Sequence, residues 1–257
     1  MSLPIIHCCA SHTMISNLIY LAQDCKCYIY RKLYLNYALQ LIELTTKEKL
    51  MQYNHIVFDL DGTLIDTENA VLNTWRYTLE TYGLEYSLEK LRIVLGIPTF
   101  DALELLDASV DQNFEYKWIH NYSKFSAQTV FFPGAYDILQ FIKKSGIHLG
   151  VVTSRKKTEY KSYFSKFNLE QIFDLIVCAD DTLQHKPNPE PLLYYAQKSG
   201  TTPDSCIYIG DMPTDIASAN AAGFASGLVT WSHSSVLKTD ADYIFSSPEE
   251  LLKLYNI

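Results

Sequence analysis

The chain has 257 residues, of which 48% are apolar and 19% charged, and its formal charge is −8. That balance supports a folded core and excludes a disordered polar chain. Lys and Arg are not gathered into a run, so no nucleic-acid partner is expected, and an anionic ligand must be drawn by local groups such as a metal, one lysine or backbone N–H groups.

Residues 1–50 differ from the rest: they are rich in Cys, Tyr, Leu and Ile and carry no recognisable site. No basic segment precedes their apolar stretch, so a signal peptide is not expected. The longest apolar stretch, 14–22, contains Ser16, Asn17 and Tyr20 and is too short to span a bilayer. No membrane partner is therefore expected. Leu35, Ala38, Leu39 and Ile42 share one face of a helix expected over 32–50. Two readings stand: a helical extension packed on the domain or on a second chain, or an over-extended reading frame, since Met51 stands just before the first core strand. Cys8-Cys9 and Cys25-Lys26-Cys27 do not have the spacing of zinc sites. Cys178 and Cys206 fall in apolar runs, where cysteine behaves as a small hydrophobe. A disulfide framework suits shorter secreted chains, so a reducing cytoplasm is expected.

From Tyr53 strands and helices alternate. Strands are predicted over 55–60, 147–153, 172–179 and 205–210, with shorter ones over 225–230 and 242–245. Helices are predicted over 136–145, 156–167, 190–199 and 214–222, and over 248–254, where Ser247-Pro248-Glu249-Glu250 forms an N-terminal signature. Such alternation gives an α/β fold with a parallel sheet covered by helices on both faces. Residues 67–131 break the pattern and contain no convincing strand. Trp75, Leu79 and Tyr82 share one helical face there, and Trp118 and Tyr122 share another. Gly83, Gly96 and Pro98 punctuate the stretch, and Pro133-Gly134 marks the return to the core. The expected division is an extension over 1–50, a catalytic core over 51–66 and 132–257, and a small helical insert over 67–131.

In parallel sheets ligands bind beyond the carboxyl ends of the strands. The first strand ends in Asp59-Leu60-Asp61-Gly62-Thr63-Leu64, with two carboxylates and a glycine that permits a tight turn. The second ends in Thr153-Ser154. The third is followed by Asp180-Asp181 and then His185-Lys186-Pro187. The fourth ends in Gly210-Asp211, with Asp215 at the start of the next helix. Carboxylates crowded at one sheet edge repel one another unless neutralised, and Mg²⁺, with its preference for oxygen ligands, is the natural partner. Lys186 and Thr153 can hold phosphoryl oxygens, and a carboxylate can take a phosphoryl group as an aspartyl phosphate that water then hydrolyses.

These four segments resemble the four motifs of the haloacid dehalogenase superfamily, in the right order, and the resemblance runs from Tyr53 to the C-terminus. It implies a Rossmann-like core, with the helical insert acting as a cap that excludes water and contacts the substrate beyond its phosphate. It implies Asp59 as nucleophile and Asp61 as acid and base. Mg²⁺ would be held by the Asp59 and Asp211 carboxylates and the Asp61 backbone carbonyl, with Asp215 orienting the metal site from behind. Thr153 and Lys186 would bind the phosphoryl oxygens, and Gly62, Thr63 and Ser154 would complete the phosphoryl pocket. The presence of Asp61 points to a phosphatase, because a phosphate leaving group needs a proton that dehalogenation does not. Phosphoglycolate phosphatase-like proteins are the nearest likeness, which implies a small phosphorylated metabolite as substrate. Met212 departs from the serine common after the fourth-motif aspartate.

Taken singly, each motif has an ordinary reading: a solvated acidic turn, a surface lysine, a helix cap at Thr153-Ser154. Only their convergence on strand ends argues for a site. His7, His12, His120 and His148 have no evident co-ligands and read as structural or exposed. The alternatives are a sugar-phosphate phosphatase, a phosphomutase or a pyrophosphatase of the same fold and, outside enzymes, a regulatory module that binds a phospho-ligand.

Overall fold

A computed structural model describes residues 17–21, 32–34, 37, 53–95, 99–232 and 240–255. Within the N-terminal segment, 17–21, 32–34 and 37 are helical; the rest of the helix expected over 32–50, the four early cysteines, His7, His12, Gly96 and Pro98 lie outside the described residues.

Six strands form one parallel sheet: β1 (His55–Phe58), β4 (His148–Val152), β5 (Leu175–Val177), β6 (Cys206–Gly210), β7 (Ala225–Val229) and β8 (Tyr243–Phe245), in the order β5-β4-β1-β6-β7-β8. This is the Rossmann-like α/β architecture expected from the alternation. The central strands read as unbroken apolar runs, HIVF and CIYIG, because both faces are covered. Side chains alternate between the faces. Ile56 and Phe58 enter one apolar cluster with Ile138, Leu139 and Ile142 of α5 (Ala135–Lys144) and Tyr160 and Phe164 of α6 (Lys157–Phe164). Val57 enters the other, with Leu192 and Tyr195 of α7 (Glu190–Ser199) and Ala219 and Ala222 of α8 (Pro213–Ala222).

β1 lies between β4 and β6, so the chain leaves it on one side and returns on the other. A crevice opens where strand order reverses in this way. The register sets its walls: Phe58 lies opposite Val151 on one side and Ile209 on the other, so Asp59, Thr153 and Asp211 emerge close together at the sheet edge.

Between the first strand and the rest of the sheet, β2 (Ile65–Asp66) pairs antiparallel with β3 (Val130–Phe131), and the chain between them forms α1 (Glu68–Glu80), α2 (Leu88–Leu91), α3 (Thr99–Leu105) and α4 (Phe114–Tyr122). The expectation of no strand over 67–131 fails at β3. Two residues show no periodicity, and only the pairing with β2 defines the strand. α1 and α4 pack through aromatic rings, with Trp75 5.1 Å from Phe114 and 6.5 Å from Trp118 between centroids. The insert rests on α6: the Tyr163 hydroxyl donates to Ile119 O (2.8 Å), and the Tyr163 and Tyr122 rings are 4.0 Å apart.

Two further predictions shift. The strand expected over 172–179 shortens to Leu175–Val177 because Leu169–Gln171 forms a 3₁₀ turn and Phe173 N donates back to Leu169 O. The helix expected over 248–254 is a 3₁₀ helix, Pro248–Tyr255. Cys178 and Cys206 are buried, as their apolar surroundings implied. No helix among the described residues is long and apolar enough to cross a membrane.

Candidate active site

Asp59 is fixed by its own backbone, whose N–H donates to Ile209 O (2.8 Å) as the last rung of the β1–β6 ladder. The chain then turns sharply. Leu64 N and Ile65 N both donate to Leu60 O, and Gly62, with φ +73°, donates to Ile65 O. A side chain at Gly62 would be strained by that φ, and its Cβ would also sit 2.2 Å from Asp211 Oδ2. Gly210 is bare for a similar reason, since a Cβ there would lie 2.3 Å from the Asp215 carboxyl carbon. Both glycines let carboxylates approach the backbone of the strand ends.

The result is a compact acidic group. One oxygen each from Asp59, Asp211 and Asp215 lies within 4.8 Å of the others, and all three residues are buried. Asp215 occupies the first turn of α8, where its Oδ2 accepts from Met212 N (3.0 Å). Thr63 Oγ1 and Ser232 Oγ each lie 3.5 Å from Asp211. Lys186 reaches in from the loop before α7, following which the Lys186–Pro187 peptide is cis. Its Nζ donates to Asp59 Oδ1 (2.7 Å), Asp215 Oδ1 (2.7 Å) and the Tyr208 hydroxyl (3.0 Å), using all three ammonium protons. Tyr208 in turn donates to Val152 O (2.8 Å), tying the lysine to the end of β4.

The electrostatics follow from this crowding. Burial pushes the Asp59 carboxyl well above the usual range; Lys186 opposes the shift, while Asp215, Asp211 and Asp61 add to it. Burial acts to lower the Lys186 ammonium, but Asp215 and Asp59 outweigh it and hold the group firmly charged. One lysine against three buried carboxylates leaves an excess of negative charge. That excess and the all-oxygen donor set fit a hard divalent cation such as Mg²⁺. Asp59, Asp211 and Asp215 each offer a carboxylate oxygen that could hold it.

The Asp61 carboxylate stands apart from this group. Arg155 grips it with two hydrogen bonds, Nε to Oδ2 (3.1 Å) and Nη2 to Oδ1 (2.8 Å). Burial works to raise the Asp61 carboxyl, but the Arg155 charge and its hydrogen bonds, with help from Thr67, bring it below the usual range. Thr153 is buried and its Oγ1 accepts from Arg155 N (3.2 Å), whereas Ser154 is exposed. Asp180 and Asp181 are turned away from the acidic group: Asp180 accepts from Lys157 N, and Asp181 accepts from Lys157 Nζ and Cys178 N.

Sequence reasoning missed Arg155 and Tyr208. Arg155 directly follows Thr153-Ser154, and that adjacency is the signal that could have found it. Tyr208 sits mid-strand and reads as core, so nothing in the sequence marks its hydroxyl.

The haloacid dehalogenase-like hydrolase family model matches residues 56–229. The chain belongs to this family. Among individual relatives, a protein of Oceanobacillus iheyensis named pyrophosphatase PpaX is 29% identical over 208 residues, covering 79% of this chain and 97% of the relative. A pyrophosphatase PpaX of Bacillus cereus is 30% identical over 183 residues, covering 70% and 85%. Among solved structures, a Lactobacillus plantarum protein described as a candidate phosphoglycolate phosphatase superposes with a TM-score of 0.71 at 26% identity, covering 79% of this chain and all of that one. A Thermotoga maritima protein described as a candidate β-phosphoglucomutase gives 0.66 at 25% identity, covering 79% and 98%.

Proposed function

We propose that this hydrolase is an Mg²⁺-dependent phosphatase that works through an aspartyl phosphate at Asp59. The observation that carries the reading is the buried Lys186 ammonium shared by Asp59 and Asp215 at the strand edge, 2.7 Å from each, with Asp211 alongside. A carboxylate held beside a fixed cation supports reading Asp59 as the nucleophile and Lys186 as the group that holds phosphoryl oxygens.

In this reading one Asp59 oxygen attacks phosphorus, and the bond between phosphorus and the leaving oxygen breaks. Asp61, which must first take up a proton because Arg155 holds its carboxyl below the usual range, gives that proton to the leaving oxygen. It then takes a proton from the water that attacks the aspartyl phosphate, which releases inorganic phosphate and restores Asp59. Lys186 and Thr153 hold the phosphoryl oxygens, and the backbone of Gly62 and Thr63 lines the same pocket. A bound Mg²⁺ would offset the charge that builds on those oxygens. Asp215 acts by fixing Lys186 and the acidic group. The helical insert, residues 67–131, serves as the lid on a core formed by 51–66 and 132–257.

A small phosphate monoester of the phosphoglycolate type is the first substrate reading, supported by the Lactobacillus plantarum neighbour. A second reading, inorganic pyrophosphate, is supported by the relatives named PpaX. The test is Mg²⁺-dependent phosphate release from 2-phosphoglycolate, pyrophosphate and a set of sugar phosphates, by wild type and Asp59→Asn. The proposal expects release that needs Mg²⁺ and falls by about 10⁴-fold or more in the variant. Release that survives the substitution contradicts it. No release from any compound would leave a phospho-ligand-binding role as the better account.

A further inference from the structure

The Asp61–Arg155 pair lies beneath the insert, and two donors beside it have nothing to bond. Trp118 Nε1 and the Tyr122 hydroxyl are buried and have no hydrogen-bond partner among the described residues. Buried donors are nearly always satisfied, so each orphan calls for an explanation. These two are four residues apart on α4 and therefore share a face. That face is turned to Arg155, whose guanidinium carbon lies 5.8 Å from the Trp118 ring centroid and 5.4 Å from that of Tyr122. The Tyr122 hydroxyl feels the charges of both Arg155 and Asp61, and burial pushes its pKa up, so it remains a donor. An indole N–H can only donate.

Arg155 has donors to spare. Asp61 takes two of its five N–H groups, and Glu159 lies 3.6 Å from Nη1. The acid of a phosphatase must touch the leaving oxygen. Atoms just beyond that oxygen therefore come within reach of a guanidinium already 2.8–3.1 Å from the acid.

We infer that Arg155, Tyr122 and Trp118 form a leaving-group subsite that selects substrates with a second anionic group beyond the scissile P–O bond, such as pyrophosphate or 2-phosphoglycolate, over neutral sugar or glycerol phosphates. The inference rests on the Asp59–Asp61 phosphatase reading and deepens it. A carboxylate or phosphoryl group seated there accepts from both orphan donors and shares Arg155 with Asp61. A neutral polyol hydroxyl could also accept from these donors, but it carries no charge to pair with Arg155 and so forms the weaker, neutral kind of hydrogen bond. With pyrophosphate, the P–O bond breaks and its electron pair stays on the bridging oxygen, so the leaving group departs as phosphate with its charge facing Arg155.

The test is the ratio of kcat/KM for pyrophosphate and for 2-phosphoglycolate to that for glycerol 1-phosphate, in wild type, Tyr122→Phe and Arg155→Met. Tyr122→Phe keeps the ring and removes only the unpartnered hydroxyl, so its melting temperature should match wild type. The inference expects wild type to favour at least one of the two anionic compounds by tenfold or more. It expects that ratio to fall about tenfold in Tyr122→Phe and further in Arg155→Met, as when a hydrogen bond to a charged group is lost. A purely structural role would lower activity on all three compounds alike. Hydrolysis with ratios unchanged in Tyr122→Phe overturns the inference alone, as does a wild type that prefers glycerol 1-phosphate. No hydrolysis of any compound, by wild type as by Asp59→Asn, overturns the phosphatase reading and this inference with it.

Discussion

The sheet edge and the helical insert meet at the Asp61–Arg155 pair, yet they are built by different means. At the sheet edge, backbone geometry places the functional groups. Strand register sets Asp59 beside Gly210, and bare Gly62 and Gly210 admit Asp211 and Asp215. In the insert, side-chain packing does the placing: Trp75, Phe114, Trp118 and Tyr122 form a chain of rings that ends on Tyr163 of the core. The edge concentrates charge and needs counter-ions, while the insert concentrates apolar area and leaves two polar atoms over. Damage to the first should remove chemistry outright, and damage to the second should act through stability and selectivity.

Lys186→Met breaks the edge with the largest expected effect on stability. It leaves Asp59 and Asp215 buried without the cation both now share, which should cost about 3–5 kcal/mol in a denaturant titration, together with phosphate release. A variant as stable as wild type would mean that the carboxylates do not depend on the lysine. Leu79→Ala tests the insert. Leu79 is fully buried on the inner face of α1, and its truncation should cost about 3 kcal/mol through lost burial and a cavity. At temperatures where the variant stays folded, it should still release phosphate, as Lys186→Met should not. Loss of chemistry without loss of stability would erase the distinction between the two regions.

The smallest effect lies outside both regions. Glu250 accepts from Ser246 N (2.7 Å) and pairs with Lys253 (2.8 Å). Burial acts to raise its carboxyl, but Lys253 and Ser246 together hold it below its ordinary value of 4.5. A depressed folded-state pKa gives stability that is present above the unfolded value and is lost as pH falls through the folded one. Glu250→Gln should therefore cost under about 1 kcal/mol at neutral pH, because solvent screens the pair, and the difference from wild type should vanish toward low pH. Melting curves between neutral and acid pH would show whether the gap closes. A gap that widens on acidification would contradict the assignment.

The same contrast explains what the sequence revealed. Asp59, Asp61, Thr153, Lys186, Asp211 and Asp215 were legible because each follows or faces a strand end, and apolar runs that mark strands also mark their ends. Arg155 stood next to Thr153-Ser154 yet stayed silent, because its meaning comes from Asp61, 94 residues earlier in the chain. Tyr208 was hidden for another reason: an aromatic residue within a buried strand looks the same whether or not its hydroxyl reaches a lysine. The aromatic faces of the insert were readable as core from helical spacing. That Trp118 and Tyr122 hold unsatisfied donors was not, since satisfaction depends on packing between segments. β3 was missed because two residues carry no period, and 172–179 was read too long because Ile172 and Phe173 are apolar whether they extend a strand or cap a turn.

The central claim is that Asp59 carries the phosphoryl group during turnover. The direct measurement is to quench the enzyme with acid during hydrolysis of its best substrate, reduce it with borohydride, and map the peptides by mass. An acyl phosphate at Asp59 would be reduced to homoserine, so the account predicts that modification at position 59 in wild type and nowhere in Asp59→Asn. Turnover that continues with position 59 intact, or homoserine at another aspartate, would contradict it.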